Sequence, residues 1–147
     1  MDKLYIFLDI DGVLNVQSDW KKPFSLNLQN VQVFLQFLRN LKGLSISPKI
    51  ILSSSWCTGF VPYGKHSSYV QELADFLAKE DVRILSKTVQ KNDRGEEILD
   101  FIQAHNLPMQ RCIIIDDDDD GIFEKFNNTK VIIQTTDSKK RILYKGC

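Results

Sequence analysis

The sequence predicts a doubly wound α/β fold, in which helices cover both faces of a five-stranded parallel sheet. Two observations support this. Five short apolar runs alternate with segments whose apolar residues repeat every three or four positions. Most of the runs are continuous, as in strands that are buried on both faces of a parallel sheet. Such strand–helix alternation is typical of Rossmann-like architectures, because parallel strands need crossover connections.

The predicted strands are the five apolar runs, at residues 4–8, 49–52, 82–85, 112–115 and 131–133. Helical periodicity fills the intervals between them. The first helix covers residues 28–41, and Gly43 follows as a stop signal.

Three more helices are predicted along the chain. The second carries an apolar stripe at residues 70–77, and Ser68 with Gln71 resembles a capping box at its start. The third carries a stripe at residues 98–105 and begins at the capping residue Asp93. A short helix covers residues 122–126.

The bulk composition indicates one soluble domain. The chain has 147 residues, of which 43% are hydrophobic and 26% charged, enough for one full core. We therefore treat residues 1–147 as a single domain. Basic and acidic residues number 19 each, which excludes a whole-domain field that would attract nucleic acid or anionic membrane.

The cysteines and the N-terminal segment favour a cytoplasmic protein without membrane contact. Cys57, Cys112 and Cys147 are odd in number and form no Cys-x-x-Cys pair, which disfavours a disulfide framework or structural zinc. Asp2 and Asp9 interrupt the first apolar run too early for a signal peptide.

Polar side chains follow several predicted strands, where doubly wound sheets bind their ligands. They are Asp9 and Asp11 after the first strand, Ser53 and Ser54 after the second, Asp116 and Asp117 after the fourth, and Lys91 and Arg94 before the third helix. We expect these groups to meet at one edge of the sheet.

Asp9 and Asp11 are the most informative pair. In a regular strand, residues two apart point to the same face, so both carboxylates would lie close together. Two such carboxylates stay ionised only beside a cation, and Mg²⁺ prefers oxygen ligands. One carboxylate can attack phosphorus while the other moves protons. Gly12 would let the chain turn sharply after the pair.

The segment DIDGVL at residues 9–14 resembles motif I of the haloacid dehalogenase-like (HAD) superfamily, mostly phosphatases and phosphotransferases. The resemblance implies Asp9 as nucleophile and metal ligand. It implies Asp11 as general acid/base, with its backbone carbonyl also reaching Mg²⁺. Residues 50–53 match motif II, in which Ser53, or Ser54 in its place, binds a phosphoryl oxygen.

The remaining motifs complete the resemblance, which spans about residues 4–133. Residues 113–117 match motif IV, which implies Asp117 as the preferred metal ligand and Asp116 as the alternative. The acids at residues 118–120 would complement the dipole of the following helix. Motif III needs a cation; Arg94 is preferred, ahead of Lys91 and Lys87.

Neither residues 15–26 nor residues 86–93 are numerous enough to form a cap domain, so the site should be open. This pattern resembles small capless HAD domains of nucleic-acid repair proteins and implies a bulky substrate. Loops at residues 16–24 and 56–66 border the opening. Their aromatics, including Trp20, Trp56 and Phe60, could stack bases. For Trp56 and Phe60, a role as core anchors is an equal alternative.

The sequence therefore predicts a Mg²⁺-dependent phosphohydrolase that acts through an aspartyl phosphate on Asp9. Its substrate would be a nucleic-acid end or a phosphoprotein. Two alternatives stay open: a catalytically silent binding module on the same fold, and a phosphatase of small metabolites or nucleotides. The sequence does not specify an oligomeric state.

Overall fold

The computed structural model describes residues 2–118, 120–126, 130–134 and 142–145, and for residues 17, 123, 124, 130–134 and 142–145 it describes the backbone alone. The strands are β1 (Asp2–Leu8), β2 (Ile46–Leu52), β3 (Ile84–Lys87), β4 (Cys112–Asp116), β5 (Lys130–Gln134) and β6 (Ile142–Lys145). The helices are α1 (Leu28–Gly43), α2 (Ser68–Ala78), α3 (Arg94–Ala104) and α4 (Ile122–Lys125). Among these helices, none is long and apolar enough to cross a bilayer.

The strands form one sheet in the order β3-β2-β1-β4-β5-β6. All neighbours from β3 to β5 pair in parallel, and β6 pairs antiparallel with β5. The α/β class and the parallel arrangement are confirmed. The strand count of five is wrong, because the short strand β6 adds an antiparallel edge.

Helices pack on both faces of the sheet. On one face, α1 and α2 bury their apolar stripes against alternate residues of the central strands, among them Ile6, Leu8 and Ile50. On the other face, α3 and α4 pack against Phe7 and Ile51. The two-sided burial explains why these strands are continuously apolar.

Several boundaries differ from the prediction. α1 continues through Gly43, and the left-handed residue that follows it is Ser45 at φ 61°. α2 begins at Ser68 itself, and its N-cap residue, Ser67, makes no side-chain capping bond, so the predicted capping box is wrong. α3 starts as predicted, because the Asp93 side chain accepts a hydrogen bond from the amide of Glu96.

The connections that follow the carboxyl ends of β1 and β3 are short. Residues 9–27 join β1 to α1 and contain only the 3-10 helix Gln17–Lys21, and residues 88–93 join β3 to α3. Within the stretch 2–118, which is described without a break, neither connection carries a cap domain.

Candidate active site

The order in which strands are added to the sheet reverses between β1 and β4, and the predicted polar groups meet there. The amide of Asp9 donates to the carbonyl of Ile115 at 3.0 Å, and the amide of Ser53 donates to that of Leu8 at 2.9 Å. Asp9 therefore lies between Ser53 and Asp116 at the carboxyl ends of three adjacent strands. This switch point is where doubly wound sheets form their ligand-binding crevice.

Three carboxylates converge at this crevice. One oxygen from each of Asp9, Asp116 and Asp117 lies within 4.8 Å of the others. Asp9 and Asp116 are only 6% and 3% exposed. Asp11 does not join this group, because β1 ends at Leu8 and the regular strand geometry that would pair its side chain with Asp9 is lost.

Gly12 permits the close approach of Asp117. Its φ of +84° lies in the left-handed region, which favours glycine. A Cβ atom there would lie 2.1 Å from Asp117 Oδ2. The glycine of the DIDGVL segment therefore both turns the chain and makes room for the third carboxylate.

Arg94 is the cation that contacts the carboxylates. Its Nη1 lies 3.3 Å from Asp9 Oδ1 and 3.0 Å from Asp116 Oδ2, and it also donates to the carbonyl of Ser53. On the other side of the guanidinium, Nε lies 3.3 Å from Glu97 Oε2. One side chain thus links β1, β2 and β4 at the site.

The two other candidates for the motif III cation lie elsewhere. Lys91 Nζ makes an exposed ion pair with Asp100 at 3.7 Å. Lys87 Nζ donates to the carbonyls of Cys57 and Phe60, at 3.0 and 3.2 Å. The geometry therefore favours Arg94, and Lys87 stabilises the loop after β2.

Loop residues hold Asp11 in place. Asp11 Oδ1 accepts hydrogen bonds from Asn15 Nδ2 at 2.9 Å and from Trp56 Nε1 at 3.2 Å. Ser55 Oγ lies 3.5 Å from the other carboxylate oxygen. Sequence reasoning missed Asn15, although an asparagine one turn after Asp11 was a usable signal. Asn15 is 1% exposed and also accepts from the amide of Gly12.

The serines after β2 have different environments. Ser53 Oγ is fully buried and has no hydrogen-bond partner among the described residues. Ser54 Oγ accepts from the amide of Trp56 at 3.2 Å and caps the 3-10 helix Ser55–Gly59. Because a buried hydroxyl without a partner is costly, Ser53 is better placed than Ser54 to meet an added ligand.

The acids after β4 also fix the start of α3. Asp120 Oδ2 accepts from the amide of Arg94 at 3.1 Å, and Asp116 Oδ1 accepts from that of Asp118. Asp120 therefore binds the first amide of α3, in addition to the capping bond of Asp93. It also lies two residues before α4, the helix whose dipole it is predicted to complement. Asp119 lies outside the described residues.

A family described as the HAD domain in Swiss Army Knife RNA repair proteins matches residues 5–139. The chain belongs to this family. The predicted resemblance to HAD domains of nucleic-acid repair proteins is thereby confirmed. No curated protein and no solved structure matches the chain.

Membership of the HAD superfamily suggests a hydrolase of the phosphatase type and a divalent metal. The three-carboxylate group is a suitable place for that metal, because clustered acidic oxygens bind hard cations. The structure brings together Asp9, Ser53, Arg94 and Asp117, the residues preferred for the four predicted motifs, at the carboxyl edge of the sheet.

The electrostatics of the HAD domain agree with a metal centre. Burial raises the pKa of Asp9 well above its ordinary value, and the Asp116 carboxylate raises it further, against the opposing effect of Arg94. Burial likewise raises the pKa of Asp116, from its ordinary value of 3.8 to about 7, although Arg94 opposes the shift. The single positive charge of Arg94 is therefore not enough to keep the pKa values of both buried carboxyl groups at their ordinary level.

Two clefts flank the HAD site and share Ser55. One, of about 310 Å³, is lined partly by Asp11, Trp20 and Phe24. The other, of about 280 Å³, is lined partly by Ser54 and Arg94.

The aromatic residues of the bordering loops divide into two groups. Trp56 and Phe60 are 1% and 4% exposed and belong to the core, so the base-stacking alternative is wrong for them. Trp20 is 44% exposed.

Proposed function

We propose that the protein is a Mg²⁺-dependent phosphomonoesterase with Asp9 as its nucleophile. The observation that supports this best is the position of the Asp9 carboxylate, between two other carboxylates and the Arg94 guanidinium. An anionic nucleophile beside a metal site and a fixed cation is the arrangement that phosphoryl transfer needs, because catalysis there is mainly positioning and charge stabilisation.

Asp9 and Asp117 are the proposed metal ligands. Asp116 already uses one oxygen on Arg94 and the other on the amide of Asp118, which leaves it the weaker candidate. The Asp11 backbone carbonyl remains a predicted ligand. A bound Mg²⁺ would neutralise charge on the phosphoryl oxygens and let the buried carboxylates stay ionised.

The residues of the chain then have distinct roles. Asp9 attacks phosphorus, so that an O–P bond forms at Asp9 while the bond to the leaving oxygen breaks. Asp11, oriented by Asn15 and Trp56, gives that oxygen a proton. Asp11 then takes a proton from water as the water attacks the aspartyl phosphate. Phosphate leaves and Asp9 is regenerated. The unpartnered hydroxyl of Ser53 would donate to a phosphoryl oxygen.

The test is phosphate release from an aryl phosphate, together with trapping of the phosphorylated protein. We expect release only with a divalent cation, its loss with chelator, and a phosphoryl group on the peptide that contains Asp9. Undiminished release with chelator would contradict the proposal. So would the absence of release from every phosphomonoester tried with Mg²⁺.

The alternative of a silent binding module was motivated by the uncertain motif III cation and by the small size of the chain. The contacts of Arg94 with both Asp9 and Asp116 weigh against the first of these two arguments. For the substrate, the open site and the family description favour a phosphorylated nucleic-acid end. A phosphoprotein and a small metabolite are the alternatives to be compared.

Metal binding should depend on pH in a defined direction. Because the pKa of Asp116 is raised on folding, this carboxyl group stabilises the folded protein fully below pH 3.8. That stabilisation is lost as the pH rises through about 7. The pKa of the proposed ligand Asp9 is also raised, by burial and by the neighbouring Asp116. Mg²⁺ needs an ionised ligand, so it competes with a proton at this pair of carboxyl groups and binds more tightly above that pH. We expect added Mg²⁺ to raise Tm by on the order of 5–10 °C at about one hundred times the Kd, at a pH of about 8.

At a pH of about 5.5, the same Mg²⁺ concentration should raise Tm far less, since a proton must first be displaced. Thermal unfolding with and without Mg²⁺ at the two pH values measures the difference. The variant Asp100→Asn, which changes an exposed carboxylate paired with Lys91, should behave as the unchanged protein does. Equal Tm shifts at both pH values would refute the assignment.

A further inference from the structure

The cleft beside Asp11 is lined by side chains that hydrogen bonds and aromatic packing hold in place. It is lined by Asp11, Asn15, Trp20, Lys22, Phe24 and Ser55, among others, and has a volume of about 310 Å³. Binding pockets for small molecules start near this size, at roughly 300 Å³, so the cleft suits one compact chemical unit.

The Trp20 side of the cleft is fixed by hydrogen bonds. Trp20 Nε1 donates to Asn15 Oδ1 at 2.9 Å, and Asn15 in turn holds Asp11. Asp19 Oδ2 accepts from the amide of Val16 at 2.9 Å and so braces the turn that carries Trp20. Trp20 nevertheless stays 44% exposed, so its indole is both positioned and accessible.

The Phe24 side of the cleft is fixed by aromatic packing. The Phe24 ring stacks on Tyr69 with centroids 3.9 Å apart, and it meets Trp56 edge-on. Phe24 has a φ of 57°, which is unfavourable for a bulky residue and marks a conformation that the surroundings enforce. Phe24 is still 40% exposed.

The position of Asp11 decides which part of a substrate this cleft receives. A general acid must lie within hydrogen-bond reach of the leaving oxygen. Because Asp11 lines this cleft and Arg94 lines the other, the leaving group belongs beside Trp20 and Phe24.

The chemistry of the walls points to a nucleoside as the leaving group. Exposed aromatic rings stack on bases, and a lysine beside them can hold the next phosphate of a strand. Lys22 is exposed and lines the same cleft. The second cleft, by contrast, has polar residues and no aromatic ring among its lining residues. A phosphoserine or phosphothreonine side chain would leave the aromatic rings unused.

We propose that the cleft formed by Trp20, Lys22 and Phe24 binds the terminal nucleoside of a phosphorylated single-stranded nucleic acid, and that Lys22 contacts the adjoining phosphodiester. This assignment rests on the proposed function, because the proposed role of Asp11 as general acid determines which cleft receives the leaving group. It goes further in naming the residues that select the substrate. The sequence alone placed Trp20 in a bordering loop, and for Trp56 it left base stacking and a role as a core anchor as equal alternatives.

The first test compares two substrates in each variant. For Trp20→Ala and Lys22→Gln, we expect the ratio of kcat/KM for a phosphorylated oligonucleotide to that for an aryl phosphate to fall about tenfold. The controls Lys21→Gln and Tyr63→Ala change an adjacent lysine and a fully exposed aromatic residue that do not line the cleft, and they should keep the ratio. An unchanged ratio in both cleft variants would overturn the proposal, while aryl phosphate hydrolysis would still support the proposed function.

The second test measures binding and needs no turnover. The chain has 2 tryptophans, Trp20 and the buried Trp56. We expect phosphorylated single-stranded RNA or DNA to quench the tryptophan fluorescence, and the quenching to disappear in Trp20→Phe. The RNA and DNA titrations show which sugar is preferred.

A phosphopeptide of equal charge is the competing ligand. Quenching by the phosphopeptide with equal or higher affinity would overturn the nucleic-acid assignment, as would quenching that persists in Trp20→Phe. Oligonucleotide quenching in a protein that hydrolyses nothing would support the cleft and reject the proposed function, so the two failures are distinguishable.

Discussion

Asp9→Asn should lower the rate of phosphate release by about 10⁴-fold or more, because removal of a covalent nucleophile leaves only binding and electrostatic stabilisation. The substitution keeps the shape of the side chain. It replaces a buried carboxylate, whose pKa is raised by burial and by Asp116, with a neutral amide. The metal-free variant should therefore be at least as stable as the unchanged protein. Steady-state kinetics with Mg²⁺ and thermal unfolding without it measure the two effects.

The combination of a lost rate and an intact fold identifies a catalytic residue rather than a structural one, and the phosphoryl group trapped on the Asp9 peptide of the unchanged protein distinguishes a nucleophile from a residue that only binds metal. Asp75→Asn, an acid-to-amide change on α2, serves as the control and should leave the rate within about twofold, as expected for an exposed position. Within the described part of the chain, its carboxylate accepts a single hydrogen bond, from the exposed side chain of Gln71. A rate in Asp9→Asn near that of the unchanged protein would show that Asp9 is not the nucleophile.

The central strands could be predicted because their burial leaves little choice of residue. Ile50, Ile51 and Leu52 are all 0% exposed, so each face of β2 must be apolar, and the continuous run follows. The same reasoning located β1 and β4. Sites at the ends of these strands were predictable for the same reason, since a buried run has to end where polar groups begin.

The edges of the sheet were less predictable because pairing, and not burial, defines them. β6 has four residues and exists as a strand through its antiparallel pairing with β5. β3 begins at Ile84, two residues later than the apolar run. Val82 is 3% exposed and packs in the core before the strand begins. An apolar sequence pattern does not distinguish a residue that pairs within a strand from one, such as Val82, that only packs in the core.

The site was predictable where its residues directly follow a buried strand, and less so where they lie farther along loops or on helices. Asp9 and Asp117 followed from the motifs. The partners of Asp11 did not, because the contact of Trp56 with Asp11 depends on how two separate loops fold. The choice between Arg94 and Lys91 depended on which direction each side chain takes from the start of α3, and spacing alone does not determine that.

Arg94→Gln should lower kcat by on the order of 10²–10³-fold, the usual loss when a preorganised charge is removed from a transition state. It should also destabilise the protein, by up to about 3–5 kcal/mol, because a buried ion pair loses one partner. The guanidinium contacts Asp9 at 3.3 Å and Asp116 at 3.0 Å, so two carboxylates lose their cation together. Kinetics with Mg²⁺ and denaturant unfolding are the measurements.

The two lysines give matched controls for the loss of a positive charge. Lys91→Gln removes an exposed ion pair with Asp100, worth about 0–1 kcal/mol, and should change kcat less than about twofold. Lys87→Gln removes hydrogen bonds to the carbonyls of Cys57 and Phe60, so it should affect stability more than rate. A loss of rate in Lys91→Gln as large as that in Arg94→Gln would reject the assignment of the cation.

Arg94→Lys separates charge from geometry. The guanidinium reaches Glu97 through Nε while Nη1 contacts Asp9 and the carbonyl of Ser53, and a single ammonium group cannot make both sets of contacts. If position matters as much as charge, Arg94→Lys should recover stability more fully than rate. Recovery of the full rate would instead mean that a positive charge suffices, and the link from Glu97 through Arg94 to Asp9 would then contribute to the fold but not to the chemistry.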